Sequence, residues 1–465
     1  MEVRSSHFLV ITNAPEKQAL NTASQLERIR TFFRQSLAVA GQHPSPFVNV
    51  LAVKDESTMR ELLPEDWSPG HVRPAGISTD ILNQYFAVVE LDTQRSGHLA
   101  AFYHEYYHSI TMPDFPDLSL WLAEGLASFY GLTDVQDDFV STGLPDRDYL
   151  DLLRATRPIP LSVLFKVDHA SPYYNEAEKT SIFYAESWLL THYLMIGNQE
   201  AHQRLVKYLE ALSQGKSAND AIAAFGDLRK LQSDLMVYLR QKRFLSVNAP
   251  LPRIDPSDLR IRTLSDTEVD AYLGGFSVAL GHRGQAIRSL TASLRLDANN
   301  AIAHEYLGIA QFLDGQTENA FESASRAVNL DPNRASARYL RAYYATYGGG
   351  MLSTDAPVEE DLRKAIALSP EFSPSYALLG SYIALRTSRA EEGLTLVRKA
   401  LSFDPSNSTF QLSLAHVLLR MDRYDEASAA ASRANALART AGEKSAVQEF
   451  KSNLELQRKK SSTPP

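Results

Sequence analysis

From about residue 267 onward, small and apolar residues recur with a period of about 34, and no other feature restricts the architecture of this chain so tightly. In residues 301–334 they fall at Leu307, Gly308, Ala320 and Ala327, with Pro332 closing the unit. The preceding unit carries Leu273, Gly274 and Ala286 at the same offsets, with Leu290 one turn further along the second helix. Later units carry Leu379 and Gly380, then Leu414, Ala415, Ala427 and Ala434. Glycine or alanine is needed where two helices approach closely, and proline where a helix must stop. The closing prolines Pro332, Pro370 and Pro405 lie 38 and 35 residues apart, so the third unit holds an insertion, marked by Gly348-Gly349-Gly350. One such unit cannot bury its apolar face alone, whereas stacked neighbours share a continuous core. The register predicts an all-α solenoid over residues 265–460: five units and a capping helix, followed by a disordered tail at 461–465.

A chain of 465 residues is too long for one ordinary core, and residues 1–242 have a different character. Residues 7–12 (HFLVIT) and 46–53 (PFVNVLAV) read as strands. Residues 75–92, centred on Tyr85-Phe86-Ala87-Val88-Val89-Glu90-Leu91, read as one further strand. Between them, residues 16–40 carry apolar side chains at helical spacing and 56–63 suit a short helix. This alternation predicts a small α/β layer placed ahead of a helical lobe, with helices near 97–112, 118–130, 149–157, 179–195, 203–214 and 228–242. Pro113 and Pro116 separate the first two of these, and a polar, tyrosine-rich loop spans 158–180. Residues 243–264, with three prolines, read as a linker or a boundary strand pair.

Composition removes several classes of function. Cysteine is absent, which excludes disulfides, thiolate metal ligands and a cysteine nucleophile. A net charge of −8 gives no basis for nucleic acid or an anionic membrane as partner. No apolar run is long enough to span a bilayer. There is no P-loop, G-x-S-x-G elbow or dinucleotide fingerprint. Met1 leads straight into a charged stretch and a strand, without signal-peptide character. Two compartments stay open: periplasmic or secreted if a leader has been removed, and cytoplasmic otherwise.

Against this background residues 104–108, His104-Glu105-Tyr106-Tyr107-His108, acquire weight. On a helix, residues four apart share a face, so His104 and His108 can direct one imidazole nitrogen each at a single Zn2+. Glu105 lies about 100° further round, facing the open coordination position without ligating the metal. A catalytic zinc site needs a third protein ligand from another element. Glu124 is the candidate: a single acid in the otherwise apolar Trp121-Leu122-Ala123-Glu124-Gly125-Leu126-Ala127, just past the proline break, on a helix able to fold back on the first. Ser128, four residues later, could donate to this site or serve only helix packing. The other histidines are not paired at ligand spacing; His169 and His192 flank residue 184 and are worth locating.

Two resemblances follow from these residues. The C-terminal units resemble tetratricopeptide repeats. The pair HEYYH and WLAEGLASFY resembles the gluzincin metallopeptidases, most closely the bacterial peptidase-MA-like domains often joined to tetratricopeptide repeats. The second resemblance spans roughly residues 1–240 and is specific at the two motif helices. It implies zinc held by His104, His108 and Glu124, and Glu105 as general base in peptide-bond hydrolysis by a metal-activated water. Gluzincins also place a tyrosine on a later helix to stabilise the oxyanion. Tyr184, in Phe183-Tyr184-Ala185-Glu186-Ser187-Trp188, has the matching chain position, though a core aromatic of an amphipathic helix fits the same pattern. The G-A-M-E-N type signature of the aminopeptidase branch is absent, the region reading Pro74-Ala75-Gly76-Ile77-Ser78, which argues against aminopeptidase activity. Tyr106 and Tyr107 are bulky and are expected to crowd the cleft, and the strand at 85–91 could offer an edge for an extended substrate.

The resulting expectation is an α+β gluzincin-like domain (1–242), a linker (243–264) and a tetratricopeptide solenoid (265–460). Its function would be zinc-dependent peptidase action, with the repeats recruiting a protein partner or substrate. The alternative is a repeat scaffold for protein binding that carries a weak or inactive peptidase-like domain.

Overall fold

A computed structural model describes residues 1–36, 47–62, 76–91, 99–111, 115, 118–251, 253–348, 357–385 and 387–462. Its N-terminal unit is built on a six-stranded sheet of order β4-β5-β3-β2-β1-β9. The strands are β1 (Glu2–Arg4), β2 (Phe8–Thr12), β3 (Val48–Val53), β4 (Gly76–Ile81), β5 (Gln84–Glu90) and β9 (Arg260–Arg262). Of the four inner strands β2, β3 and β5 run parallel, with Val10 opposite Val50 and Val50 opposite Ala87, while β1 is antiparallel to β2 and β9, and β4 to β5. Every residue of β2 and β3 is buried. A near-continuous apolar run is what a strand covered on both faces requires.

The coverings differ. Phe8, Val10, Val50, Ala87 and Val89 lie under α1 (Glu16–Ser36) and α3 (Ala100–Thr111). On the opposite face Leu9, Ile11, Leu51, Phe86 and Val88 pack with Met59 of α2 (Glu56–Leu62) and with the first repeats. There Phe86 meets Phe276 edge-on, ring centroids 5.5 Å apart. The repeats therefore form the second helical layer of the sheet instead of an array strung beyond it.

A helical lobe follows α3. It comprises α4 (Leu120–Gly131), α5 (Arg147–Ala155), the one-turn α6 (Leu161–Leu164) and α7 (Pro172–Asn175), α8 (Ala177–His192), α9 (Gln199–Ser213), α10 (Ala218–Ala221) and α11 (Leu228–Leu239). Its own core centres on Trp121, Trp188, Phe183 and Phe225. A small three-stranded sheet of β6 (Asp134–Val135), β7 (Phe139–Thr142) and β8 (Val247–Pro250) flanks it.

Five helical hairpins then follow: α12 (Asp266–Ala279) with α13 (Arg283–Leu296), α14 (Ala301–Leu313) with α15 (Thr317–Leu330), α16 (Ala335–Tyr347) with α17 (Val358–Leu368), α18 (Ser373–Ala384) with α19 (Ala390–Phe403), and α20 (Ser408–Arg420) with α21 (Tyr424–Leu437). The long α22 (Ala441–Ser462) closes the array. Ser265 and Glu268 make a reciprocal capping box that starts the first hairpin. Gly380 shows why the repeats need small residues: a Cβ there would stand 2.6 Å from the Gly393 carbonyl oxygen. The insertion expected at Gly348-Gly349-Gly350 lies largely outside the described residues, as do Pro113, Pro116 and the last three residues of the chain.

Three expectations change. Within the stretch expected as one strand, residues 76–90 form a hairpin, because Leu82 and Asn83 both take positive φ, 50° and 64°, in a two-residue turn. The strand at 85–91 is consequently interior, between β4 and β3, so the free edge on that side belongs to β4. Of the two readings of 243–264 the linker falls and the pair of boundary strands stands: β8 pairs with β7 and β9 with β1, tying the segment to both sheets of the N-terminal unit.

Candidate metal centre

The motif helix α3 divides its faces sharply. Phe102, Tyr103, Tyr106, Tyr107 and Ile110 are buried against the sheet and α1, where Tyr106 stacks near Phe102 and Tyr107 stacks on Tyr130 at 4.8 Å. The two tyrosines inside the motif thus belong to the core, and the expectation that they crowd the cleft is overturned. Position 106 lies opposite the face set by 104 and 108, whereas 107 lies as far to one side of that face as 105 does to the other, and packing against Phe33 of α1 and Tyr130 takes its ring into the core. His104 and His108 are half-buried on the opposite side and Glu105 is exposed beside them.

Helix α4 folds back on α3 and delivers Glu124. Two glycines allow the approach. A Cβ at Gly131 would lie 3.2 Å from the His104 Cβ, and one at Gly125 would lie 2.5 Å from the Ser187 carbonyl oxygen of α8. With α4 held between α3 and α8, Glu124 is only 5% exposed. Its Oε2 lies 3.2 Å from His104 Nε2 and 3.3 Å from His108 Nε2, and the two Nε2 atoms stand 3.2 Å apart. Ligands bonded to one tetrahedral ion at about 2.0–2.1 Å stand about 3.3–3.4 Å from one another. The triangle therefore has the dimensions and the donor set, two imidazoles and a carboxylate, that such an ion needs. Among the described residues it is the one group of three or more potential ligands that converges in this way.

The electrostatics agree with an ionised ligand. Burial works to raise the Glu124 carboxyl, but hydrogen bonds with both imidazoles outweigh it and hold the group down at about 2. Ser128 Oγ lies 3.4 Å from His104 Nδ1, so the side of the ring turned away from Glu124 also has a partner. Tyr149 of α5 hydrogen-bonds in turn to Ser128, its own hydroxyl pushed up by burial to about 12.

Tyr184 projects from α8 onto the same site, its ring centroid 6.2 Å from that of His104. Burial first, and then the Glu124 charge, raise its hydroxyl well above the ordinary phenol value, so it stays protonated. Its hydroxyl is hydrogen-bonded with Tyr174 of α7. Tyr149 and Tyr174 are additions to the site that sequence reasoning did not single out. The only signal for the second was the tyrosine-rich character of the loop that holds it.

The two flanking histidines part company. His169 is exposed and meets Tyr174 edge-on at 5.1 Å, on the rim of the site. His192 is fully buried, 2.8 Å from the Tyr238 hydroxyl and 2.9 Å from the Gly143 carbonyl, and serves the lobe's core. His43, His71 and His98 lie outside the described residues.

No protein family and no curated protein matches this chain. Solved structures of tetratricopeptide repeat proteins are similar over part of it. The repeat protein TTC0263 of Thermus thermophilus is 19% identical, covering 40% of this chain and 98% of its own, with a TM-score of 0.33. A MamA fragment from Desulfovibrio magneticus is 20% identical over 38% of this chain and 97% of its own, TM-score 0.32. YrrB, a tetratricopeptide repeat protein described as having an unusual peptide-binding site, is 13% identical over 40% and 92%, TM-score 0.32.

Proposed function

We propose that the chain is a zinc-dependent peptidase of the gluzincin type, with the repeats receiving a protein substrate or partner. The observation that carries this reading is the triangle of His104, His108 and Glu124 with edges of 3.2–3.3 Å. Zinc held there would polarise a scissile carbonyl and lower the pKa of a water molecule. The remaining work falls to side chains of this chain. Ser128 steadies the His104 ring, and the ionised Glu124 completes the ligand set. Glu105, exposed and one residue from His104, takes a proton from the attacking water and returns it to the leaving amine. Tyr184 keeps its proton and offers it as a hydrogen bond to the developing oxyanion, a contact worth about 3–4 kcal/mol in other hydrolases.

The second reading is a protein-binding scaffold, favoured by a cavity of about 830 Å³ lined by the sheet and by turns of the repeats. Metal analysis of chain purified without chelator, together with Glu105→Gln, separates the two. Under the peptidase reading about one zinc is bound per chain, and Glu105→Gln keeps the metal while hydrolysis of an unfolded protein falls by about 10²–10⁴-fold. Wild-type chain that takes up no zinc at neutral pH would leave only the scaffold.

A further inference from the structure

The repeats and the sheet line a cavity of about 830 Å³. The sheet contributes Arg4, Phe47, Gln84 and Tyr85; the repeats contribute the turns that close the second, third and fourth hairpins. Each of these turns presents one carboxylate: Asp331, Glu371 and Asp404. Two further acids on the wall are neutralised internally, Glu2 by Arg262 at 2.7 Å and Glu305 by Arg334. Among the described lining residues three carboxylates remain against one guanidinium, that of Arg4, which sits 5.5 Å from the Phe47 ring centroid, with Arg30 of α1 acting on Glu371 from behind the wall.

Three features describe the occupant. The carboxylates recur once per hairpin, so complementary charge has to be presented along a line and not at a point. Phe47 and Tyr85 leave 37% and 36% of their surface open, large aromatic faces available for packing. Gln84 is 9% exposed and its Nε2 has no hydrogen-bond partner, although it lines the cavity. That Nε2 is itself buried and unpaired, a cost that a ligand's carbonyl oxygen would remove once the side chain turns into the cavity it lines. An extended polypeptide supplies all three: backbone carbonyls, side chains at regular spacing, and the freedom to carry cations and aromatic rings.

We infer that this cavity is a docking site for an extended polypeptide segment bearing lysine or arginine together with aromatic residues, with a backbone carbonyl accepting from Gln84. The site stands on its own residues and does not require the chain to be a peptidase. Should the peptidase reading hold, Ser109 on the cavity wall, next after His108, places the docked segment on the motif helix itself.

The test uses the full chain in EDTA, so that cleavage cannot intervene, and two fluorescein-labelled decapeptides identical in their Phe, Ser and Gly residues. One carries Lys where the other carries Glu. Fluorescence anisotropy should show the Lys peptide binding at least about tenfold more tightly than its twin. Gln84→Leu should weaken it about five- to tenfold while leaving the thermal midpoint unchanged or raised, because an unpaired donor has been removed. Glu371→Lys, at an exposed position, should shrink the preference between the twins to less than about threefold. Failure of the Lys peptide to bind at millimolar concentration, equal affinity for both peptides, or wild-type binding by Gln84→Leu would each overturn the inference. Competition by spermine but not by the Lys peptide would assign the cavity to a small polycation instead, and would overturn it too.

Discussion

Ser128 and Tyr149 form a short relay behind the triangle of His104, His108 and Glu124, the proposed metal site. An imidazole that turns Nε2 toward a cation keeps its proton on Nδ1 and needs an acceptor there. For His104 that acceptor is a neutral hydroxyl at 3.4 Å, backed by the Tyr149 hydroxyl. Removing it should loosen the ring without emptying the site. Ser128→Ala is expected to weaken zinc binding by about tenfold, and Tyr149→Phe by less, as read by competition with a chromophoric chelator. Unchanged affinity in Ser128→Ala would mean the contact is packing alone. The serine was accessible from sequence because it sits one helical turn beyond Glu124. No periodicity connects residue 149 to residue 104, so only the packing of α5 in the lobe reveals the tyrosine.

Among the elements, α4 is the one whose placement decides the site. It touches α3 through Gly131 and α8 through Gly125, and any side chain at 125 must displace the α8 backbone. Gly125→Ala is therefore expected to cost about 3 kcal/mol or more in chemical denaturation and to weaken zinc binding by moving Glu124 away from the imidazoles. Loss of stability with an intact metal affinity would show that the helix can shift without carrying Glu124. Helix α8 adds a dependence on pH through two buried groups shifted in opposite senses. Burial raises Glu186 to about 7 from 4.5, although it accepts a hydrogen bond from the Ile159 amide at 2.6 Å. Its contribution to stability is thus fully present below pH 4.5 and is lost as pH rises through 7. Burial lowers His192 to about 4 from 6.5, so its contribution is present above pH 6.5 and lost as pH falls through 4. Glu186→Gln should flatten the decline in thermal midpoint between pH 4.5 and 7 and leave the acid side, below pH 6.5, governed by His192. A midpoint profile for Glu186→Gln parallel to wild type would remove this account. The hairpin β4-β5 shows the limit of reading elements from residues: Leu82-Asn83 lacks the glycine that usually announces such a turn.

At the scale of the whole molecule, the sheet cannot be separated from the repeats. Leu9, Ile11, Leu51, Phe86 and Val88 would face water if the repeats were removed, a contiguous apolar surface of the kind that drives association. A chain ending at residue 264 is expected to bind a hydrophobic dye and to elute as aggregate in size-exclusion chromatography, whereas the full chain unfolds with sheet and repeats coupled. A soluble, monomeric 1–264 fragment would show that the repeats are an appendage. The repeat period, the apolar strands and the motif spacing were determined by the sequence itself, because each depends on local geometry: the 3.6-residue turn, the alternation of a strand, the small residue where helices cross. Glu124 was reachable for the same reason, as a lone acid in an apolar helix. Tertiary structure alone decided that Tyr106 and Tyr107 enter the core, that the edge strand is β4, that residues 247–250 and 260–262 complete two sheets, and that the repeats cover one of them. Each of these is a choice between faces or partners distant in the chain, and a face is chosen by what can be buried against it.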